Sequence, residues 1–435
     1  MEPIDMDRDF AILSQRGPFA TLDIPPQIKL FSDEARIWTR NLTMNRMVTR
    51  YRAIRNQIFD ILNIKSYSDI QALIKDTKRR SEISKRAYLM LGKMYGVEGS
   101  EGEIITHIIG YAQVADDVID YLKKGIFSDY ASDIEMTNEI ESINDPVELL
   151  LIIFNDRYHK KTRFDAKRKL ILMSLVGSID QRERETDIEN KFSKFHDFLN
   201  DYVWSPDLKI GEYKTTLLLS THDRDTFKCT DIKLIDGKEA HEIEVKPYQK
   251  LTLLKRRSFN AGGRRIPIYV TVRRKFPEAK VLKLLRKGMK NPAIAVDDEL
   301  GLMAVFDSIR DIKTFQRHLT ESAARAGTFM TLEEISNTLG GGMYHAQNTG
   351  SSPYVRMLKF FAKMGGMRVE FIIHTNESYI NYLYQRDISH GEYEIRRLID
   401  SGVAELLFPK DIYGIDMASI KETMIQKYRK RIEEV

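Results

Sequence analysis

"PYVRMLKFFAKMGGMRVEFIIHT", residues 353–375, decides how the C-terminal half of the chain is read. Two apolar runs flank Gly365-Gly366. Paired glycines between strand-like runs signal a β-hairpin, because a tight turn needs backbone with φ > 0. Side chains alternate along a strand, so Val369, Phe371 and Ile373 share one face. Glu370 falls on the other face with Ile372 and His374. An acid within an apolar strand is costly unless a cation or metal meets it, so Glu370 calls for a chemical reason.

Outward from this hairpin, strand-like and helix-like text alternates. "RIPIYVTVRRK" (265–275) and "LGLMAVFDS" (300–308) read as strands, whereas "EAKVLKLLRKG" (278–288) and "IKTFQRHLTESAARAG" (312–327) have helical spacing. "NESYINYLYQRDISHGEYEIRRLIDSG" (376–402) is helical again. Upstream, "NRMVTRYRAIRNQIFDILNI" (45–64), "GEIITHIIGYAQVADDVIDYL" (102–122) and "AKRKLILMSLVGSI" (166–179) place apolar residues three and four apart, and Ser68-Asp69 is a helix start. Beyond Pro206 the text alternates around turn signals such as Asp236-Gly237. The expectation is an α+β protein in which a helical N-terminal region precedes a mixed-sheet domain. Its segments are an extended arm (1–45), a helical domain (46–205), a small β region (206–260), the mixed-sheet domain (261–412) and a C-terminal helix (413–435).

The totals exclude some classes. The chain has 435 residues, a net charge of +5 and one cysteine, Cys229. One cysteine forms no disulfide within the chain and no cysteine metal site, which fits a reducing compartment. The N-terminal text is neither a signal nor a transit peptide, and "VELLLIIF" (147–154) is too short to span a bilayer. A cytoplasmic protein without membrane contact is expected. Charge is uneven: residues 246–290 hold fifteen Lys and Arg and one acid, Glu278. Such a run is either a solvated face or a site for nucleotide phosphates or an RNA backbone.

Phosphate transfer needs cations for the donor phosphates, carboxylates for Mg²⁺ and a group that activates the attacking hydroxyl. Arg273, Lys275 and Lys283 supply the first. Asp297 and Asp298 precede the "LGLMAVF" strand, and Glu370 lies in the hairpin.

These residues resemble the synthetase domain of the RelA/SpoT alarmone synthetases, a nucleotidyltransferase-like fold that moves pyrophosphate from ATP to the 3′-hydroxyl of GDP or GTP. Arg273, Lys275 and Lys283 keep the spacing of the family's first motif, with Ala279 where it has Ser. Asp298 and Gly301 match the second motif, with Met303 where it has Arg. Tyr354 stands sixteen residues before Glu370 as in the family, but Ile372 and His374 replace a Gln and an Arg, and Leu358 replaces a His. Ser389-His390-Gly391-Glu392-Tyr393 resembles its Ala-His-x-x-Tyr. The resemblance covers about residues 265–400.

It implies that Glu370 and Asp298 hold Mg²⁺, that Glu370 activates the acceptor hydroxyl, and that Arg273, Lys275 and Lys283 bind ATP. Tyr354, Arg356, His374 and His390 then face the acceptor, which is GDP, GTP, an adenine nucleotide or a tRNA end. The altered residues concentrate near the acceptor side, which points away from GDP. Two alternatives stand beside the enzyme: a catalytically lapsed module that binds nucleotide or RNA, and a coincidental pattern in which Glu370 pairs with a buried cation such as Arg356. His196-Asp197, with Asn200 and Asp201, superficially resembles a hydrolase signature but reads as surface polarity. His107 and Asp116-Asp117 read as structural. "NTLGGGMYHAQNTGSSP" (337–353) lacks the Lys-Ser/Thr end of a P-loop and reads as a connection.

Overall fold

The computed structural model describes residues 67–205, 214–235, 239, 243–287, 292–296, 300–344 and 352–434. The expected arm and the helix expected over 45–64 lie outside them. In chain order the longer described helices are α1 (Tyr67–Lys75), α2 (Thr77–Met94), α3 (Glu101–Lys124), α4 (Pro146–Ile153), α5 (Lys160–Thr186), α6 (Ile188–Phe198), α7 (Pro277–Arg286), α8 (Ile309–Arg325), α9 (Asn376–Tyr384), α10 (His390–Asp400) and α11 (Met417–Glu434). The strands are β1 (Lys214–His222), β2 (Cys229–Ile235), β3 (Gln249–Ala261), β4 (Arg264–Arg274), β5 (Leu300–Phe306), β6 (Met330–Asn337), β7 (Leu358–Met364) and β8 (Met367–Thr375). The protein is mixed α and β. No described helix is long and apolar enough to cross a membrane.

Two compact units interleave along the chain. One draws on Met1–Thr186, Phe276–Val296 and Leu398–Lys421; the other on Asp187–Lys275, Asp297–Arg397 and Glu422–Val435. Residues 206–260 carry β1 to β3, and these strands belong to the same sheet as the strands that follow. Residues 276–296, within the span expected to be one mixed-sheet domain, belong instead to the helical unit.

The helical unit is built around α5. Asp145 caps α4 by accepting from Val147 N at 2.7 Å, with Pro146 at the first helical position. Ser100 and Glu103 form a reciprocal capping box at the start of α3. Helix α5 is buried on every side from Phe164 to Ile179, although it carries Asp165, Lys167, Arg168 and Lys169. Burial at this depth requires partners. Lys169 donates to Asp116 at 2.7 Å and to Ile140 O at 3.2 Å. Arg168 pairs with Asp165 at 2.9 Å and donates to Leu407 O at 2.8 Å, while the Tyr413 hydroxyl donates to Asp165. Gly177 lies where a Cβ would sit 2.8 Å from the Tyr95 ring, so a larger residue there would displace α2 or α5.

The other unit holds one eight-stranded sheet in the order β2-β1-β3-β4-β5-β8-β7-β6. Only β5 and β8 run parallel among these neighbours. Gly365 and Gly366 turn the β7–β8 hairpin at φ 54° and 77°, as their pairing predicts. One face carries the core: Phe259, Ile268, Leu302, Phe306, Phe360 and Phe371 pack with Ile312, Phe315 and Leu319 of α8. Val369, Phe371 and Ile373 all join it, as their alternation predicts. The opposite face carries a smaller cluster of Leu218, Cys229, Leu254, Tyr269 and Val305 under Ile380 of α9. Glu370 and His374 point to this second face.

Candidate functional site

Strand register builds the site. Arg273 of β4 pairs with Gly301 of β5, and Gly301 pairs with Glu370 of β8, so these positions form one row across three adjacent strands. Neighbouring strands lie about 4.8 Å apart, which puts the outer two backbones about 10 Å apart. Gly301 contributes no side chain between them. The next row is Thr271, Met303, Ile372 and Lys359, and the one after runs through Tyr269, Val305 and His374. Residues 273, 301 and 370 are far apart in sequence, and the sheet brings them into register.

Glu370 is 7% exposed, and its carboxylate meets the Lys359 ammonium at 2.8 Å. Lys359 is thus one cation that meets it, whereas Arg356, anticipated as one alternative, turns elsewhere. Arg356 instead donates to two backbone carbonyls, Gly342 O at 2.5 Å and Thr338 O at 3.4 Å, tying the segment before β7 to the end of β6. Lys359 occupies the row beside Glu370, two residues from Phe361, and its ammonium also lies 5.5 Å from the Phe361 ring. Arg368, on the same face, lies over the other part of that ring at 3.5 Å and pairs with Glu334 at 2.6 Å.

Met303 and Ile372 occupy paired positions on adjacent strands. Two polar residues of the resembled motifs are thus replaced by apolar ones at a single place on the sheet, next to the Glu370 row.

His374 is fully buried. Its Nδ1 lies 3.0 Å from Arg356 O and 3.2 Å from Ser378 Oγ, and a carbonyl only accepts, so Nδ1 carries the proton. Burial pushes the imidazole down to about 4, against a smaller opposing effect of the Arg356 carbonyl. The ring is a neutral brace that joins β8 to the segment before β7. It opens a row of aromatic rings: Tyr382 lies 5.2 Å from His374, His390 5.1 Å from Tyr382, and Tyr393 5.9 Å from His390. Arg397 sits over Tyr393 at 5.1 Å. His390 is exposed, and Tyr382 and Tyr393 are half-buried; Tyr382 stacks on both His390 and Tyr379. Tyr354 is 57% exposed.

The remaining expected residues fall as follows. Asp297 and Asp298 lie outside the described residues, just before β5. Lys275 follows the end of β4. Lys283 lies on α7, in the helical unit, with its side chain buried. His196 Nδ1 takes a hydrogen bond from Asn200 Nδ2 at 2.9 Å, a contact within one stretch of helix. Asp116 is the partner of Lys169. Among the described residues no three His, Cys, Asp or Glu side chains converge as a metal cluster. Lys359, Tyr382 and Arg397 were not anticipated. The signal for Lys359 is a lysine within "LKFFAKM": counting outward from the glycine turn sets it diagonal to Glu370.

Comparison with protein-family models, curated proteins and solved structures finds no match for the chain.

Proposed function

We propose that the second face of the sheet is a nucleotide-phosphate site and that the protein is an ATP-dependent pyrophosphotransferase resembling the RelA/SpoT synthetases. The observation that carries this reading is the row Arg273–Gly301–Glu370 across β4, β5 and β8. Motifs that resemble a donor-binding segment, a metal-binding segment and an acid-bearing strand meet in one register.

In this reading Arg273 and Lys275 bind the donor phosphates; Lys283, the third cation of the resembled motif, belongs to the helical unit. Glu370, with Asp298 three residues before Gly301, provides hard oxygen ligands for Mg²⁺, which takes one or two carboxylates and completes its shell with water and phosphate. The ion would neutralise charge on the transferring phosphates. The acceptor 3′-hydroxyl oxygen attacks the β-phosphorus of ATP, the bond from that phosphorus to the α,β-bridging oxygen breaks, and AMP leaves. Glu370 takes the hydroxyl proton, with Lys359 holding its carboxylate in place. The rings of Tyr382, His390 and Tyr393, with Tyr354, provide stacking surfaces for a nucleobase, which suit any base. The apolar pair Met303–Ile372 favours an acceptor other than GDP, an adenine nucleotide or a tRNA end.

A second reading, a binding module without catalysis, is favoured by the Lys359–Glu370 pair, because a carboxylate neutralised by lysine is a weaker metal ligand. One experiment separates the two. The purified chain is incubated with γ-³²P-ATP, Mg²⁺ and, separately, GDP, GTP, AMP, ADP, ATP or total tRNA, beside Glu370→Gln. Label on one acceptor that is lost in the variant supports the enzyme. ATP binding without label on any acceptor supports the binding module.

A further inference from the structure

The helical unit contains a cavity of about 330 Å³ with no role in the reading above. Its apolar lining comes from Ile74 of α1 and from Leu151 and Ile152 of α4. Its wall is charged. Arg80 of α2 donates through Nη1 to Glu148 at 2.9 Å, and its Nε is buried without a hydrogen-bond partner. Arg157 and Tyr158 also line it. The loop that presents them is fixed by Asn155, whose Oδ1 accepts from Arg157 N at 3.2 Å. The volume falls at the low end of small-ligand pockets, about 300 to 1,000 Å³.

The charges select the ligand. Arg80 and Arg157 bring two positive charges, and Glu148 removes one. Its carboxyl is itself raised above the ordinary value by burial, against the pull of Arg80. Among the lining side chains one positive charge is in excess, which beside Ile74, Leu151 and Ile152 suits a single negative charge on a short apolar body. A dianion such as phosphate would meet Glu148 and leave Ile74, Leu151 and Ile152 facing water. A cation would meet two guanidinium groups.

We propose that this cavity is a binding site for a monocarboxylate with a short aliphatic chain. The site is independent of the sheet face and of the reaction assigned to it. Polar groups fix the carboxylate, and burial of the chain contributes roughly in proportion to the apolar area covered.

The test is calorimetric titration of the full chain with hexanoate, hexylammonium and inorganic phosphate, on the wild type and two variants. Hexanoate is expected to bind once per chain. Phosphate should bind about tenfold more weakly or not at all, and hexylammonium should not bind. Arg80→Met removes one of the two cations, leaves Arg157 balanced by Glu148 and should abolish hexanoate binding. Ile74→Trp fills the cavity from a half-buried position, leaves the Arg80–Glu148 pair intact and should weaken hexanoate by about tenfold or more. If Arg80→Met does not fold, Ile74→Trp decides. Absence of saturable hexanoate binding, undiminished binding in Ile74→Trp, or phosphate binding as tightly as hexanoate would overturn the proposal.

Discussion

Lys359 and Glu370 form an ion pair at 2.8 Å on the diagonal of the β7–β8 hairpin, where register sets Lys359 opposite Ile372 and Phe361 opposite Glu370. The two side chains keep 21% and 9% of their surface, so water screens the pair only in part. In the proposed reaction Glu370→Gln lowers transfer by about a hundredfold or more, the scale of a lost general base. Lys359→Met removes the ammonium 2.8 Å from a nearly buried carboxylate and costs about 1–2 kcal/mol, less than breaking a fully buried pair would. Urea unfolding of both variants, beside the labelling assay, separates the chemical effect from the structural one.

His374 makes stability depend on pH with a definite sign. Its folded pKa, about 4, lies below the unfolded value of about 6.5. The unfolded chain therefore binds the proton first as pH falls. The contribution is full above pH 6.5, shrinks as pH falls through that value, and is gone below about 4. For a single fully buried group it amounts to roughly 3 kcal/mol. Burial also lowers His222 and His318, so they act in the same direction. Unfolding measured from pH 7.5 to pH 4.5 should show a shallower loss in His374→Gln than in the wild type.

The buried set in the helical unit should be intolerant of partial removal. Arg168→Met deprives Asp165 of the guanidinium 2.9 Å away. The expected cost is about 3–5 kcal/mol, because breaking a buried pair strands a charge. Tyr413→Phe removes one donor to Asp165 while Arg168 and the Thr137 N–H remain, so about 1–2 kcal/mol is expected. Equilibrium denaturation checks both values, and equal costs would contradict this ranking.

Cys229 should behave as an inert side chain. It is buried on the second face of the sheet, and burial, aided by nearby Glu377, pushes the thiol up to about 12. Only the thiolate is nucleophilic. An aromatic disulfide reagent at pH 8 should label native protein much more slowly than protein in denaturing urea. Fast native labelling would show that the strand opens readily.

Much of the sheet was legible because period-two alternation and the Gly365-Gly366 turn are local signals. Strands β4, β5, β7 and β8 stand where their text placed them. The parallel pairing of β5 with β8 was not legible, since it joins positions separated by a helix, β6 and a long connection. The all-round burial of α5 was also hidden. "AKRKLILMSLVGSI" reads as a helix with apolar residues three and four apart, yet Lys169 and Arg168 are buried as well, with partners in Asp116, Ile140 and Leu407. In the site, Glu370 announced itself by an unfavourable position. Lys359 did not, because a lysine on a hairpin strand is ordinary.

The interleaving of the two units governs how the chain can be completed during synthesis. The helical unit needs residues 276–296 and 398–421 beside its first stretch, and the sheet unit needs 297–397 beside 187–275. Neither can close around its core while the ribosome is still translating the middle of the message. Domains made of one continuous stretch fold in turn as they emerge, whereas here both must wait for residues beyond 390. During part of that interval β5 has no β8 to pair with, and α5 presents Lys167, Arg168 and Lys169 without Leu407 or Tyr413 to receive Arg168. The vulnerable period for this protein is its own translation, and a chaperone that shields the β5 edge is the cellular factor whose loss should lower its yield most.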